Sequence, residues 1–157
     1  MSHIDEFFMQ NALALARRGL GHTWPNPSVG AVIVRPGDEP EVLARGWTGT
    51  GGRPHAERVA LEKLDGLASS CTMYVTLEPC SHHGKTAPCA EAIVEAGISR
   101  VVCAMEDPDP RVSGKGFSIL ENAGIAVTRG ALASEVSHIA AGHILRITKS
   151  RPFVQLK

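Results

Sequence analysis

The sequence predicts a one-domain α/β protein in which a mixed, largely parallel sheet lies between two helical layers. The second half alternates apolar, strand-like runs with helical segments, a pattern that favours parallel strands covered by helices on both faces. The first half has two short apolar runs joined by RPGDEP (35–40), which is typical of a hairpin. The 157 residues, 43% hydrophobic and 20% charged, suffice for one hydrophobic core.

The elements of the first half follow from periodicity and turn chemistry. Apolar residues recur at helical spacing over 4–18, and Gly19 can end that helix. TWPNPSVG (23–30) is predicted to turn, because each proline fixes its own φ and restricts the preceding residue. A Gly-rich loop is expected at 49–52. The remaining predicted elements are strands 30–34 and 42–47 and a helix from about 54 to 64.

The second half continues with apolar strands, each followed by a helix. Pro88 suits the first turn of the helix that ends at Gly97, because this position needs no backbone N–H donor. A polar loop at 107–116 interrupts the alternation. The other predicted elements are strands 72–77, 100–105 and 125–128, a helix at 117–123 and a last helix at about 134–149.

Charge and composition narrow the classes of partner. Sixteen basic and sixteen acidic residues cancel, so neither a nucleic acid nor an anionic membrane surface is an expected partner. No apolar run approaches the roughly 18 residues of a membrane span. MSHIDEFFMQ (1–10) lacks the apolar core of a signal peptide, so we expect a cytoplasmic protein. Its four cysteines are then better explained as metal ligands or core residues than as disulfides.

One histidine and two cysteines form the strongest chemical pattern. His55, Cys80 and Cys89 offer an imidazole and two thiolates, a three-ligand set for Zn²⁺ that leaves a fourth position for water. Zn²⁺ in such a site activates water at neutral pH, and Glu57 beside it can carry the proton. Both His55 and Glu57 can reach one water only if the metal lies at the start of their helix. The alternative is a closed structural zinc site with His82 or His83 as the fourth ligand.

These residues carry a resemblance to a known family. HAE (55–57), PC (79–80) and a later cysteine resemble the zinc deaminases of the cytidine-deaminase-like superfamily. Eight residues, SHHGKTAP, separate Cys80 from Cys89, where the usual signature has two. This spacing resembles the pyrimidine deaminase branch of riboflavin biosynthesis. The similarity continues through PNPSVGAVIV (25–34), YVTLEPCSHHGKTAPC (74–89) and EDPDPRVSGKG (106–116).

The resemblance implies a reaction and a role for Glu57. The implied substrate is 2,5-diamino-6-(5-phosphoribosylamino)pyrimidin-4(3H)-one. Its 2-amino group would be removed by hydrolysis and released as ammonia. Glu57 would take a proton from the water and pass it to the ring and then to the departing amine. The alternatives are another deaminase of the superfamily, acting on cytidine, deoxycytidylate, guanine or a tRNA adenosine, and a non-catalytic zinc-binding module.

The resemblance also implies substrate contacts. The matching positions are Asn26, Thr48, His82, Lys85, Asp107 and Asp109. Asn26 would read the ring edge, or only form the turn. Lys85 would pair with the phosphate, or remain a solvated loop residue, in which case Arg53 and Lys115 are the next candidates for the phosphate. Thr48 replaces a histidine and Asp109 an asparagine of the family pattern.

The end of the sequence resembles a domain junction. RPFVQLK (151–157) is similar to the first strand of the reductase domain that follows the deaminase in the bifunctional family enzymes. We therefore expect a deaminase domain at 1–150, a reductase domain or subunit as partner, and a homo-oligomer. Shortly before it, Ala140 and His143 stand where the family pattern has Asn and Phe, and no role is assigned to His143.

Overall fold

The structure is a computed structural model that describes residues 2–64, 68–84, 87–110 and 112–154. Its strands are β1 (Gly30–Arg35), β2 (Glu41–Trp47), β3 (Thr72–Leu77), β4 (Arg100–Met105) and β5 (Ala126–Arg129). Its α-helices are α1 (His3–Arg18), α2 (Ala56–Leu61), α3 (Cys89–Glu95), α4 (Lys115–Asn122), α5 (Ala133–Ile139) and α6 (Ala141–Lys149). A short 3₁₀ turn spans Thr50–Gly52.

The strands form one mixed sheet in the order β2-β1-β3-β4-β5. β1 is antiparallel to both of its neighbours, whereas β3, β4 and β5 are mutually parallel. Four of the five strands therefore run in one direction, which confirms the predicted mixed, largely parallel sheet. The parallel pairs follow from the β3-α3-β4-α4-β5 alternation, because a crossover helix returns the chain to the same edge.

Two hydrophobic clusters cover the two faces of the sheet. On one face, α2, α3 and α4 pack on the sheet through side chains such as Ala60, Ile93 and Phe117. On the other face, α1 and α5 pack through Met9 and Val136 among others. The predicted three-layer α/β/α architecture is confirmed. Within the described part of the chain, no helix is long and apolar enough to cross a membrane.

A glycine allows α2 to approach the sheet closely. A Cβ added to Gly46 in β2 would lie 2.2 Å from the carbonyl oxygen of Ala56, the first residue of α2. Only a residue without a side chain permits this contact, since backbone atoms cannot move aside cheaply. The start of α2 is therefore held against the sheet.

An ion pair between a buried carboxylate and a partly exposed guanidinium joins α1 to β4. Asp5, 3% exposed, accepts hydrogen bonds from both terminal nitrogens of Arg100 at 2.7 and 3.0 Å. It also accepts one from the Tyr74 hydroxyl at 3.2 Å and forms a capping box with Ser2. The Arg100 guanidinium holds the pKa of Asp5 well below its usual range.

The C-terminal helical region differs from the prediction. The sequence predicted one helix over 134–149, but α5 ends at Ile139 and α6 begins at Ala141. Ala140 between them has ψ of 1°, outside the helical region. α5 buries Val136 in the core, whereas α6 is tied to the 23–27 turn by a bond from Arg146 to the Pro25 carbonyl at 2.9 Å. The prediction was wrong because these tertiary contacts leave no trace in the helical periodicity.

Candidate metal centre and active site

The three predicted metal ligands come together at the ends of three elements. His55 immediately precedes α2, Cys80 follows β3, and Cys89 is the first residue of α3. The His55 Nδ1 lies 3.6 Å from the Cys80 sulfur and 3.4 Å from the Cys89 sulfur. All three ligand atoms lie within 4.8 Å of one another.

The donor set and its spacing fit Zn²⁺. Tetrahedral zinc with about 2.3 Å bonds to sulfur and 2.0–2.1 Å bonds to nitrogen places those atoms about 3.6 Å apart. The observed nitrogen–sulfur separations of 3.4 and 3.6 Å agree with this. His83 lies 3.1 Å from Glu91 instead of joining the cluster, and His82 is exposed. Among the described residues, the cluster therefore offers three donor atoms, which would leave the fourth position of a tetrahedral zinc site for water, as predicted.

The hydrogen bonds between the ligands lower the pKa of one thiol and raise the pKa of the other two ligands. The Cys89 backbone N–H donates to the Cys80 sulfur at 3.3 Å, and the Cys89 thiol donates to the same sulfur. These donors lower the pKa of Cys80 to about 4, while the shared proton raises the pKa of Cys89. The Cys80 sulfur also raises the pKa of His55. Metal binding must therefore displace protons, as it does at zinc–thiolate sites in general.

Glu57 is buried at the same end of α2. Its side chain lies in the first turn of the helix and the residue is 4% exposed. Burial, with the Cys80 sulfur as the second cause, raises the pKa of Glu57 to about 7. A carboxyl group with a pKa near neutrality can both accept and release a proton at pH 7. The predicted placement of His55 and Glu57 at one helix end agrees with this geometry.

A cavity of about 330 Å³ opens beside the metal ligands. Five of the predicted substrate contacts line it together with Glu57: Asn26, Thr48, His82, Asp107 and Asp109. The sixth, Lys85, lies outside the described residues. The structure thus brings the described contacts to one site, while their roles toward a substrate stay predictions.

Two of these residues already have protein partners. The Asn26 side-chain amide donates to the Gly52 carbonyl at 2.8 Å and lies 3.4 Å from the His55 Nε2. The Thr48 hydroxyl accepts a hydrogen bond from the Val29 N–H at 2.9 Å. Asn26 and Thr48 therefore also hold the backbone on the side of the cavity that faces β1.

Sequence reasoning missed Glu78, which organises the opposite side. Its buried carboxylate accepts backbone N–H bonds from Asp107 at 3.1 Å, Gly114 at 3.0 Å and Gly116 at 2.9 Å. A Cβ on Gly116 would lie 2.0 Å from the Pro79 carbonyl, so this approach requires glycine. Glu78 therefore fixes the 107–116 loop against the turn that bears Cys80. The sequence feature that could have indicated this role is the position of Glu78, an acidic residue, within the largely apolar run YVTLEPC (74–80).

Sequence reasoning also missed the contribution of α6. His143 and Arg146 of this helix line the cavity, 88 and 91 positions after His55 in the chain. The available signal was the departure of His143 from the phenylalanine that the resemblance leads one to expect. Arg53, which the sequence offered as an alternative phosphate partner, also lines the cavity.

Comparisons with known proteins agree with this site. The family model for the cytidine and deoxycytidylate deaminase zinc-binding region matches residues 2–105. The chain is 46% identical to the riboflavin biosynthesis protein RibD of Escherichia coli over 153 residues, which is 98% of this chain and 41% of that protein. The corresponding protein of Haemophilus influenzae is 48% identical, with 98% of this chain and 40% of that protein covered.

Solved structures give the same result. RibD of Acinetobacter baumannii superposes with a TM-score of 0.88 at 44% identity, covering 95% of this chain and 41% of that one. A diaminohydroxyphosphoribosylaminopyrimidine deaminase/5-amino-6-(5-phosphoribosylamino)uracil reductase of Thermotoga maritima gives 0.89 at 45% identity, covering 96% and 43%. The chain thus spans about two fifths of the length of these relatives.

Proposed function

The chain belongs to the cytidine and deoxycytidylate deaminase zinc-binding family, and we propose that it deaminates a phosphoribosylaminopyrimidine in riboflavin biosynthesis. The reaction converts 2,5-diamino-6-(5-phosphoribosylamino)pyrimidin-4(3H)-one and water into 5-amino-6-(5-phosphoribosylamino)uracil and ammonia. The observation that carries the proposal is the three-ligand cluster beside buried Glu57 in one cavity with Asp107 and Asp109. The similarity to the Thermotoga maritima deaminase/reductase supports this choice of substrate.

Zn²⁺ held by His55, Cys80 and Cys89 would supply Lewis-acid activation of water at neutral pH. Glu57 accepts a proton from the attacking water and delivers it to a ring nitrogen. It then takes the remaining proton of the water oxygen, now bonded to C2, and carries it to the amino group, which leaves as ammonia while C2 becomes a carbonyl carbon. The burial of Glu57 at the start of α2, next to His55, suits a carboxyl group that must first accept a proton and then donate one.

The other cavity residues orient the ring and its substituent. Asn26 lies 3.4 Å from the His55 ring, so its amide is suited to contact the pyrimidine edge near the metal. Asp107 and Asp109 accept hydrogen bonds from the ribosyl hydroxyls or from exocyclic amino groups, and Thr48 and His82 complete the contacts. Lys85 is proposed as the phosphate partner. Orientation of this kind lowers the entropic part of the barrier.

The proposal also includes the domain organisation and the protein partners of the chain. Arg151–Val154 form no regular element, and 155–157 lie outside the described residues. We propose a deaminase unit at 1–150, with 151–157 leading toward a reductase domain like that of the Thermotoga maritima relative, or a separate reductase subunit. A homo-oligomer is proposed as well, and light scattering of the purified protein tests it.

Ammonia release by the zinc-loaded protein tests the function. The phosphoribosyl compound is compared with cytidine, deoxycytidylate and guanine, and the Glu57→Gln variant is the control for contaminating deaminases. Release from the phosphoribosyl compound alone is expected. A preference for cytidine or guanine would indicate a different deaminase, and no release from any compound would favour a non-catalytic zinc module.

A further inference from the structure

His143 reaches the cavity from α6 and is left with an unused hydrogen-bonding atom. Its side chain is 10% exposed, and its Nε2 is buried with no hydrogen-bond partner among the described residues. Asp107 Oδ1 lies 3.8 Å from it, which is beyond hydrogen-bond distance. Buried polar atoms in native proteins nearly always have a partner, so this atom points to a bound group.

Arg146 determines which ring nitrogen of His143 carries the proton. Its Nη2 donates to the Pro25 carbonyl at 2.9 Å and lies 3.3 Å from the His143 Nδ1. The guanidinium also lies 5.1 Å from the centroid of the Trp24 ring, which holds it in place. Because a guanidinium only donates hydrogen bonds, Nδ1 must be the acceptor. The hydrogen is therefore on Nε2, the atom without a partner.

The unused donor and the carboxylate of Asp107 form a matched pair. Asp107 Oδ1 already accepts the Asp109 N–H at 2.8 Å and retains a further lone pair. With 3.8 Å between Nε2 and Oδ1, one oxygen atom can lie about 2.8 Å from both. A hydroxyl group fits this position, because it accepts from Nε2–H and donates to the carboxylate. A phosphate oxygen would be repelled by Asp107. An amino group on the pyrimidine is a very poor acceptor for His143, because its lone pair is delocalised into the ring.

We propose that His143 is a specificity-determining residue that, with Asp107, binds one hydroxyl of the substrate's ribosyl group. The inference rests on the proposed function and adds to it a contact that comes from α6. It predicts that His143 contributes to binding of the sugar-bearing substrate and contributes little to turnover of the bare ring.

Steady-state kinetics on a matched pair of substrates tests this contact. The pair is the phosphoribosyl compound and 2,5,6-triaminopyrimidin-4(3H)-one, which has the same ring without the sugar. His143→Leu should raise KM for the first about tenfold, the effect of one lost hydrogen bond, with kcat within about twofold. The kcat/KM for the bare ring should stay unchanged. His143→Gln, whose amide nitrogen can replace Nε2–H, should recover most of the loss.

Controls separate binding from folding. Thr148→Ala changes an exposed residue of α6 whose hydroxyl bonds to the Ile144 carbonyl, and it should leave both substrates unaffected. Zinc content and the melting temperature of each variant are measured beside the kinetics. Equal losses on both substrates, or no loss in His143→Leu, would overturn the inference.

The failure of the proposed function gives a different result. If the wild-type protein deaminates only cytidine, the proposed function is wrong. The role of His143 is then tested by comparing the effect of His143→Leu on cytidine, which has a ribosyl group, with its effect on cytosine, which has none. If the zinc-loaded wild-type protein deaminates none of these compounds, both proposals are overturned.

Discussion

Replacing Glu78 by glutamine tests how the 107–116 loop is held beside the metal site. One carboxylate oxygen accepts the N–H groups of Asp107 and Gly114, and the other accepts that of Gly116. An amide has only one accepting oxygen, so even in its better orientation its NH₂ group faces the Gly116 N–H. A buried unsatisfied donor costs about 1–3 kcal/mol.

The expected loss can be measured by thermal unfolding and by kinetics. A mid-range loss of about 2 kcal/mol should lower the melting temperature by about 4–8 °C for a chain of this size. Because the same loop carries Asp107 and Asp109, KM for the proposed substrate should rise while zinc content stays at one ion per chain. Glu106→Gln is the matched control, since Glu106 is an exposed residue of the same loop region that bonds to the Ser113 hydroxyl.

A melting temperature within about 1 °C of wild type would refute the reasoning for Glu78, because the loss of one bond at a buried site must exceed that. An equal effect of Glu106→Gln would also refute it, since the exposed carboxylate makes no such set of backbone contacts.

Four further predictions follow from the site and the core. Glu57→Gln should keep the fold and zinc but lose about 10²–10⁴-fold in kcat, and wild-type turnover in a zinc-replete variant would remove Glu57 from the mechanism. Removing zinc with a chelator should abolish ammonia release, and adding Zn²⁺ should restore it, with the zinc content measured by elemental analysis. Full activity of the metal-free protein would contradict the assignment of a catalytic zinc site. Lys85→Ala should raise KM for the phosphorylated substrate only, measured against its dephosphorylated form, whereas equal losses would place the phosphate elsewhere. Asp5→Asn should lower the free energy of unfolding, measured in urea, by about 3 kcal/mol. This is the lower end of the range for breaking a buried ion pair, because Arg100 is 33% exposed. A loss of less than about 1 kcal/mol would contradict this expectation.

The Asp5 ion pair also gives a pH dependence of stability. The Arg100 guanidinium depresses the folded-state pKa of Asp5 well below its usual range, so the unfolded chain binds the proton more tightly. The stabilisation is therefore complete above about pH 5 and is lost as the pH falls through 4 and below. Unfolding titrations of wild type and Asp5→Asn should converge in acid, and parallel curves across this range would contradict the assignment.

The clustering of His55, Cys80 and Cys89 beside Glu57 could be predicted, because the proposed chemistry depends on residue type and short spacings. His55 and Glu57 lie two positions apart, and a helix start is the only place where both can face one metal. β3 and β4 have the bounds that the sequence predicted, since a continuous apolar run is the local property that a buried parallel strand requires.

The break between α5 and α6 and the parts played by Glu78 and His143 were decided by the tertiary structure. Glu78 acts through backbone N–H groups 29–38 positions away, and backbone donors are the same in every sequence. His143 lines the cavity because α6 packs beside the 23–27 turn, where Arg146 bonds to the Pro25 carbonyl, 121 positions earlier. Residue type and periodicity determine which side chains can do chemistry and which faces are buried. The partners of a buried polar atom depend on which distant segments pack against it, and that is determined only when the chain has folded.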